Sequence, residues 1–414
     1  QIVRSAVGLG DREELTALQW NVGNLINSNA TIQIVDTATG GWGHINVDQI
    51  IQTDASLGSV VTITNRYLNL PVKTGATKRL FELVVDGLVT HEAFIELADS
   101  VTPDFYSFLD LGDFQGKQAL VRVDSAAANP TSLNSLVWSN GIVGANTFYQ
   151  EANRPIYHFT ARRGWLNDPN GLVYFNGEYH MGYQHNPYGW NWANMHWGHA
   201  VSTDLVHWTE LPEWLYPDPL GAMWSGSAVV DWNNSAGFGT NALVAFYTGA
   251  AKGSDPNLPR MANAGQFTQC MAYSLDSGRT LTKYTNNPVV PNLGGDNRDP
   301  KVFWYAPGNK WVMLLWVDGN EYRFFSSPNL KNWTQTSSFT FPGVIEVPDI
   351  FELPLDGNAT DKKWIFWGGA GNYYIGTFDG NAFTAQSGPF TVRGHARHRA
   401  RHGPARFPPA QVRL

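Results

Sequence analysis

The sequence is poor in cysteine and in charged side chains, and it contains no long apolar run. Its 414 residues include a single cysteine, Cys270, which excludes a disulfide within the chain and a cysteine-based zinc site. No apolar run approaches the roughly 20 residues that a membrane-spanning helix needs. Charged residues make up 15% of the chain and the formal net charge is −7, which argues against a general binder of polyanions.

Aromatic residues, by contrast, are abundant: they make up 13% of the chain and include 17 tryptophans. This balance favours a β-rich protein with broad aromatic surfaces, and stacking against sugar rings is one use of such surfaces. Short alternating or β-branched segments, separated by Gly, Asn, Asp and Pro, also indicate strands. We therefore predict an all-β protein, long enough for two or three domains.

The chain begins with Gln1, and no signal peptide is visible at its start. Asn-x-Ser/Thr triplets, the acceptors of N-glycosylation, favour a secreted protein. They occur at Asn29, Asn233, Asn332 and Asn358. On this basis we expect an extracellular location.

A motif recurs along the second half of the chain. "STDLVHWTE" at 202–210 is repeated as "SSPNLKNWTQ" at 326–335 and, more faintly, as "SLDSGRTLTKY" at 274–284. Hairpins with clear turn residues lie between the copies. Units of about 50–70 residues with several strands each are typical of β-propeller blades. Four such units fit between Tyr157 and about Thr391.

The sequence predicts four regions. Residues 1–56 resemble a fragment of a galactose-binding-like β-sandwich, and residues 57–150 predict a small N-terminal β domain; a scaffold without sugar contacts is the alternative for both. Residues 151–391 predict the propeller. Residues 392–414 hold six Arg, three His and no acidic residue. We interpret this basic tail as disordered and as the product of a shifted reading frame or a mis-spliced gene model, in preference to a nucleic-acid-binding arm.

Three acidic residues occupy similar places in successive units: Asp168 in "WLNDPNG", Asp299 in "GDNRDPKVFW" and Glu346 in "GVIEVPDIFELP". Each lies in a short polar break next to a proline and leads into an apolar strand. Acidic residues of ordinary turns would be scattered and would not repeat these surroundings. Because the first strand of each propeller blade lines the central channel, we expect the three carboxylates to converge. Such a cluster suits cleavage of a glycosidic bond.

Residues from about 150 to 391 resemble glycoside hydrolase family 32, the β-fructofuranosidases that include invertases, inulinases and levanases. The resemblance rests on WLNDPNG, HWGHAVSTDLVHW, WSGSAVVD, RDP and EVPD in this order. The segment "YLNLPVKTGATKRLFELVVDG" is also similar to the extra β domain of some levanase-like members. The resemblance implies a five-bladed propeller followed by a β-sandwich. Since only four units are visible, we expect the fifth blade and the trailing sandwich to be absent.

The resemblance also implies roles for individual residues. Asp168 would be the nucleophile and Glu346 the acid/base. Asp299, with Arg298 beside it in the fructose pocket, would hold fructose hydroxyls and stabilise the transition state. The other residues expected to line the fructose pocket are Asn167, Gln184, Trp192, Trp224 and Ser225. Charge pairing with Arg298 is expected to keep Asp299 ionised.

No cofactor or metal is expected. His196 and His199 are three positions apart in a predicted strand, where their side chains point to opposite faces, so we interpret them as structural histidines. The expected partner is a fructan or sucrose substrate, and neither nucleic acid nor a membrane is expected as a partner.

Three functions remain open at this point. The first is a retaining enzyme that hydrolyses levan, inulin or sucrose through a covalent fructosyl-enzyme. The second is an inactive or fructan-binding fragment of such an enzyme. The third is a five-bladed propeller glycosidase acting on arabinose or xylose polymers, against which the pairing of NDPNG with RDP argues.

Overall fold

The computed structural model describes residues 58–123, 130–251 and 266–392, together with residues 22, 25, 28–35 and 50. Strands dominate these residues, and the predicted all-β fold is confirmed. Within the described ranges, no helix is both long and apolar enough to cross a membrane. Apart from those few positions, the β-sandwich fragment predicted over 1–56 lies outside the described residues. So does the predicted basic tail, except for its first residue.

The N-terminal strands form two antiparallel sheets that pack face to face. They are β1 (Ser59–Thr62), β2 (Tyr67–Val72), β3 (Lys78–Val85), β4 (Leu88–Glu96), β5 (Phe105–Asp110), β6 (Gln118–Val123) and β7 (Val137–Ser139), with the short helix α1 (Pro130–Ser135) before β7. One sheet has the order β1-β6-β3-β4 and the other β5-β2-β7. Leu68, Phe81, Ile95 and Val121 belong to the core that the sheets share. The domain boundaries of 57 and 150 stay a prediction.

Four four-stranded antiparallel sheets follow along the described chain. The first contains β8 (Trp165–Phe175), β9 (Glu178–Asn186), β10 (His196–Ser202) and β11 (Thr209–Leu215), and the second β12 (Ala222–Asp231), β13 (Ala242–Ala250), β14 (Phe267–Ser274) and β15 (Thr282–Lys283). The third contains β16 (Arg298–Tyr305), β17 (Lys310–Asp318), β18 (Glu321–Ser327) and β19 (Thr334–Thr340), and the fourth β20 (Asp349–Leu355), β21 (Asn358–Trp367), β22 (Asn372–Phe378) and β23 (Phe383–Thr391). In every sheet each strand pairs with the next one along the chain.

The apolar cores lie between successive sheets. Along β13, Tyr247 packs into a core shared with the first sheet, whereas the adjacent Phe246 packs into a core shared with the third. Met313 and Leu314 alternate in the same way along β17, between the second and the fourth sheet. Successive side chains of a strand point to opposite faces, so a strand buried on both faces needs an unbroken apolar sequence. This is why residues 242–247 of β13 and 311–317 of β17 are continuous apolar runs.

The repeated sequence motif occupies equivalent places in three sheets, after the third strand of each. Ser202, Ser274 and Ser327 end β10, β14 and β18. The hydroxyl of each accepts a backbone N–H from the turn that follows. Serine in this position replaces strand pairing with a local hydrogen bond, which stops the strand and starts the turn. The repeat seen in the sequence is therefore the connection from the third to the fourth strand.

The first strands of three sheets, β8, β12 and β16, share an irregularity near their starts. The ladder to the second strand skips one or two residues in each of them. The skipped residues are Asn167 and Asp168 in β8, Ser225 in β12, and Asp299 and Pro300 in β16. A bulge of this kind bends the strand and redirects its side chains. Since β12 contacts both β8 and β16, the three bulges lie on neighbouring strands.

The bulge of β12 leaves no room for a side chain at Gly226, because a Cβ there would lie 1.9 Å from the carbonyl oxygen of Phe246. We expect Gly226→Ala to lower the free energy of unfolding by about 1–3 kcal/mol, the usual cost of overpacking. Urea denaturation measures this. Gly141→Ala is the matched control, since nothing lies within 4 Å of its added Cβ. Equal unfolding midpoints for the two variants would contradict the expectation.

Candidate active site

The carboxylate of Asp168 is held by two hydrogen bonds. Asn167 Nδ2 donates to Oδ1 over 2.7 Å, and Ser225 Oγ donates to Oδ2 over 2.7 Å from the neighbouring sheet. The side chain of Gln184 donates to Ser225 Oγ over 2.8 Å and accepts from Asn167 over 3.2 Å. Because a serine hydroxyl has one hydrogen, donation from Gln184 directs that hydrogen to Asp168. Strands β8, β9 and β12 together therefore fix the orientation of this carboxylate.

Asp299 lies deeper, with 6% of its surface exposed. Its backbone N–H donates to Thr248 Oγ1 over 3.1 Å, which ties the bulge of β16 to the second strand of the preceding sheet. Its Oδ2 accepts the backbone N–H of Val347 over 2.8 Å. Asp299 therefore links the loop before β20 to the middle of the second sheet.

Burial raises the pKa of Asp299 to about 7, and the nearby charges of Asp168 and Glu346 raise it further, whereas Arg298 and a backbone N–H lower it. Arg298 favours the ionised form of Asp299, as the sequence predicts, but burial outweighs its effect and the net change in the pKa is upward. Arg298 Nε lies 3.8 Å from Asp299 Oδ2, which is too far to offset the loss of hydration. The pKa of about 7 means that this carboxyl titrates near neutral pH.

The close ionic partner of Arg298 is Glu346. Arg298 Nη2 donates to Glu346 Oε2 over 2.9 Å, in a part of the site that is partly buried. The guanidinium also lies over two indole rings, 4.0 Å from the ring centre of Trp316 and 5.9 Å from that of Trp224. Arginine stacks well on aromatic faces, so these rings restrict where the guanidinium can lie. Because Arg298 donates to Glu346, the rings also restrict the position of the Glu346 carboxylate.

Two tryptophans form an aromatic wall beside these charges. The ring centres of Trp192 and Trp224 lie 5.8 Å apart at an angle of 73°. Both rings pack against the buried side chains of Met195 and Ala222. Trp224 directly precedes Ser225, so the wall adjoins the Asp168 network.

Three residues at or beside the carboxylates Asp299 and Glu346 have strained backbone conformations. Asp299, Glu346 and Val347 have φ angles of +66°, +35° and +43°, in the left-handed region that side chains other than glycine rarely adopt. The N–H of Gly369 donates to the carbonyl of Glu346 over 3.0 Å and supports this conformation. Strained residues cost about 1–3 kcal/mol each and are typical of functional sites.

The structure brings the nine expected site residues into one connected set. Asn167, Asp168, Gln184 and Ser225 form the hydrogen-bond network, while Arg298 links Glu346 and Asp299 to the tryptophan wall. Their catalytic and binding roles stay predictions.

Sequence reasoning missed several groups that contact this set, among them Thr248, the backbone of Val347, and Trp316. Thr248 and Trp316 lie on the second strands β13 and β17. Their sequence surroundings are ordinary apolar strands and carry no signal of a site.

His196 and His199 do not form a pair. His196 Nδ1 hydrogen-bonds to the carbonyl of Asn194, whereas His199 Nε2 lies 3.2 Å from His180 Nδ1 and its ring stacks on Trp214. Within the described ranges, no group of three or more His, Cys, Asp or Glu is placed to hold a metal ion.

The sheets pack one after another, and carboxylates from the bulged strands β8 and β16 and from the loop before β20 lie close together. These features define an all-β protein of the propeller class with an acidic centre. Residues 158–397 match the model of the glycosyl hydrolases family 32 N-terminal domain. The chain therefore belongs to glycosyl hydrolase family 32, as the sequence motifs predict.

Named relatives agree with this assignment. The levanase of Bacillus subtilis is 48% identical over 266 residues, which cover 60% of this chain and 37% of the levanase. An extracellular exo-inulinase of Aspergillus niger is 39% identical over 271 residues, covering 57% of this chain and 50% of that protein. A solved structure of a fructofuranosidase from Schwanniomyces occidentalis, complexed with fructose, is similar with a TM-score of 0.51 and 36% identity, covering 57% of this chain and 49% of that one. The chain thus spans half or less of the length of these relatives.

The raised pKa of Asp299 predicts a pH-dependent stability. Between its ordinary pKa of 3.8 and the folded-state pKa of about 7, the folded protein binds more protons than the unfolded chain. Stability from this group is therefore present below about pH 4 and is lost as the pH rises through 7, by up to about 1.4 kcal/mol per pH unit.

We expect the free energy of unfolding of the native chain to fall relative to that of Asp299→Asn between pH 4 and pH 7. Urea denaturation at several pH values measures the difference. Asp113→Asn, the same change at an exposed position, is the control. A difference between native chain and Asp299→Asn that does not vary with pH would contradict the assignment.

Proposed function

We propose that this chain hydrolyses β-fructofuranosidic bonds in levan, inulin or sucrose, with retention of configuration. The observation that carries the proposal is that Asp168 on β8, Asp299 on β16 and Glu346 in the loop before β20 lie close enough for the charges of Asp168 and Glu346 to act on Asp299. Membership of family 32 supports the reaction class, and the named levanase, exo-inulinase and fructofuranosidase support the substrate class. Because the chain spans only part of those relatives, the activity of the whole protein belongs to the proposal.

In the first step, an oxygen of the Asp168 carboxylate attacks the anomeric carbon of the fructosyl unit. Glu346 donates its proton to the glycosidic oxygen as the bond between that oxygen and the anomeric carbon breaks. The hydrogen bonds from Asn167 and Ser225 aim the carboxylate before the substrate arrives, so little reorganisation is needed at the moment of attack. The product of this step is an ester between Asp168 and the fructosyl unit.

In the second step, Glu346, now ionised, takes a proton from water, and the resulting hydroxyl group attacks the anomeric carbon. The ester bond breaks and Asp168 returns as a carboxylate. Arg298, which donates to Glu346 over 2.9 Å, holds the acid/base group in place through both steps. Asp299 faces the positive charge that develops on the sugar ring in each transition state.

The pocket for the fructosyl unit is proposed to lie between the polar network and the tryptophan wall. Asn167 and Gln184 supply amide groups to the sugar hydroxyls, and the rings of Trp192 and Trp224 supply apolar faces for its C–H groups. The similar fructofuranosidase structure is complexed with fructose, which supports a fructosyl unit as the ligand. We also propose that the protein acts outside the cell, as the name of the extracellular exo-inulinase suggests for that relative.

Replacing the nucleophile tests the chemistry directly. We expect Asp168→Asn to reduce the release of fructose from levan, inulin and sucrose at least about a thousandfold, because an amide cannot form the ester intermediate. The melting temperature is expected to stay within a few degrees of that of the native chain. Asp361→Asn, at an exposed position, is the matched control and should retain full activity.

The same assay separates the alternatives. A folded native chain that releases no fructose would contradict the proposal and favour an inactive or fructan-binding fragment. Release of sugars from arabinan or xylan, but not from fructans, would favour the arabinose- or xylose-directed glycosidase. Substantial activity of Asp168→Asn would place the nucleophile elsewhere.

The retaining mechanism also predicts a distance. The carboxyl groups of Asp168 and Glu346 should lie roughly 5–5.5 Å apart when a substrate analogue is bound, because attack and protonation occur on the same sugar without a water between the nucleophile and the ring. A crystal structure of the complex measures this distance. A separation of about 9 Å would instead indicate an inverting mechanism.

A further inference from the structure

The loop between β9 and β10, residues 187–195, touches both the N-terminal sheets and the candidate active site. It leaves β9 after Asn186 and enters β10 at His196. Its contacts on one side belong to the sandwich of β1–β7, and on the other side they belong to the tryptophan wall. The loop is therefore a physical link between the two parts of the described chain.

The first half of the loop is anchored in the N-terminal sandwich. Tyr188, 3% exposed, is a member of the apolar core that the two N-terminal sheets share. Ser107 Oγ donates to the carbonyl of Pro187 over 2.8 Å in a buried position. The ring of Trp190 lies 4.7 Å from that of Phe105. The sandwich thus supplies part of the surroundings that order this segment.

The second half is anchored by Asn194, which is 1% exposed. Its Oδ1 accepts the backbone N–H of Phe94 and its Nδ2 donates to the backbone carbonyl of the same residue, both over 2.9 Å. Phe94 lies on β4, the edge strand of its sheet, where its backbone N–H and C=O point away from the sheet. The amide of Asn194 hydrogen-bonds to both groups, as a neighbouring strand would. Nδ2 also donates to Asn186 Oδ1 over 3.2 Å, which ties the two ends of the loop together.

Trp192 lies between these anchors, and its ring packs against that of Trp224. It is two positions from Trp190 and two from Asn194, so its backbone has little freedom once both are held. We propose that the N-terminal sandwich helps to form the substrate site. By binding Trp190 and Asn194, it positions the ring of Trp192 against that of Trp224. Asn194 is then a positioning residue for the fructosyl pocket, an assignment that rests on the proposed function.

The test removes the anchor without straining the backbone. Asn194 has a φ of +46°, so Asn194→Gly deletes the amide while keeping that conformation accessible. Asn191→Gly, at an exposed position in the same loop, is the control for added flexibility. Trp190→Ala, which removes an exposed ring 4.7 Å from Phe105, is a second variant with the same expected direction.

We expect Asn194→Gly to raise the KM for sucrose and for short fructans about tenfold, as the loss of the three hydrogen bonds of its side chain would allow, while kcat changes by less than about threefold. Trp190→Ala should raise KM by a smaller factor, and Asn191→Gly should leave both constants within about twofold of the native values. A general loss of folding would instead lower kcat and the melting temperature together.

A second measurement does not depend on activity. In protein labelled with 5-fluorotryptophan, the fluorine resonance of Trp192 is assigned by its disappearance in Trp192→Phe. Asn194→Gly should shift or narrow this resonance, whereas Asn191→Gly should leave it in place. A native KM together with an unmoved resonance in Asn194→Gly would overturn the proposal. If the native chain releases no fructose, the proposed function fails, and the resonance alone then decides whether Asn194 positions Trp192.

Discussion

The hydrogen bond from Ser225 to Asp168 is the interaction on which the rest of the site depends. It joins β12 in the second sheet to β8 in the first. Its 2.7 Å length requires the bulges of β8 and β12 to lie next to each other. In a regular ladder these side chains would alternate between the two faces of their sheets and pack into the cores. The bulges turn them instead toward each other.

A bulge also places a carboxylate in contact with neighbouring sheets further along the chain. Asp299 occupies the bulge of β16, the first strand of the third sheet. It hydrogen-bonds to Thr248 in the second sheet and to the backbone of Val347, just before the fourth sheet. Each carboxylate is therefore positioned by a sheet other than its own. The arrangement needs sheets held at constant spacing, which the continuous cores between them supply.

Those cores also offset the unfavourable features of the site. A buried carboxyl beside two other carboxylates and three residues in left-handed backbone conformations all destabilise the folded chain. Strands β13 and β17 are buried on both faces, and burial of apolar surface stabilises by about 25 cal/mol per Å². The N-terminal sandwich adds a further constraint, because its edge strand is satisfied by the amide of Asn194 from the loop that carries Trp192.

The sequence alone determined the all-β class, the repeating units and the family, because these depend on local signals: alternating residues, turn residues and short motifs such as WLNDPNG and EVPD. It also predicted that Asp168, Asp299 and Glu346 come together, and their catalytic roles stay predictions. Only the tertiary structure decided that Arg298 pairs closely with Glu346, that burial raises the pKa of Asp299, and that Thr248 and Trp316 complete the site. Hydration and through-space distance decide such properties, and both arise only when strands far apart in the chain are packed together.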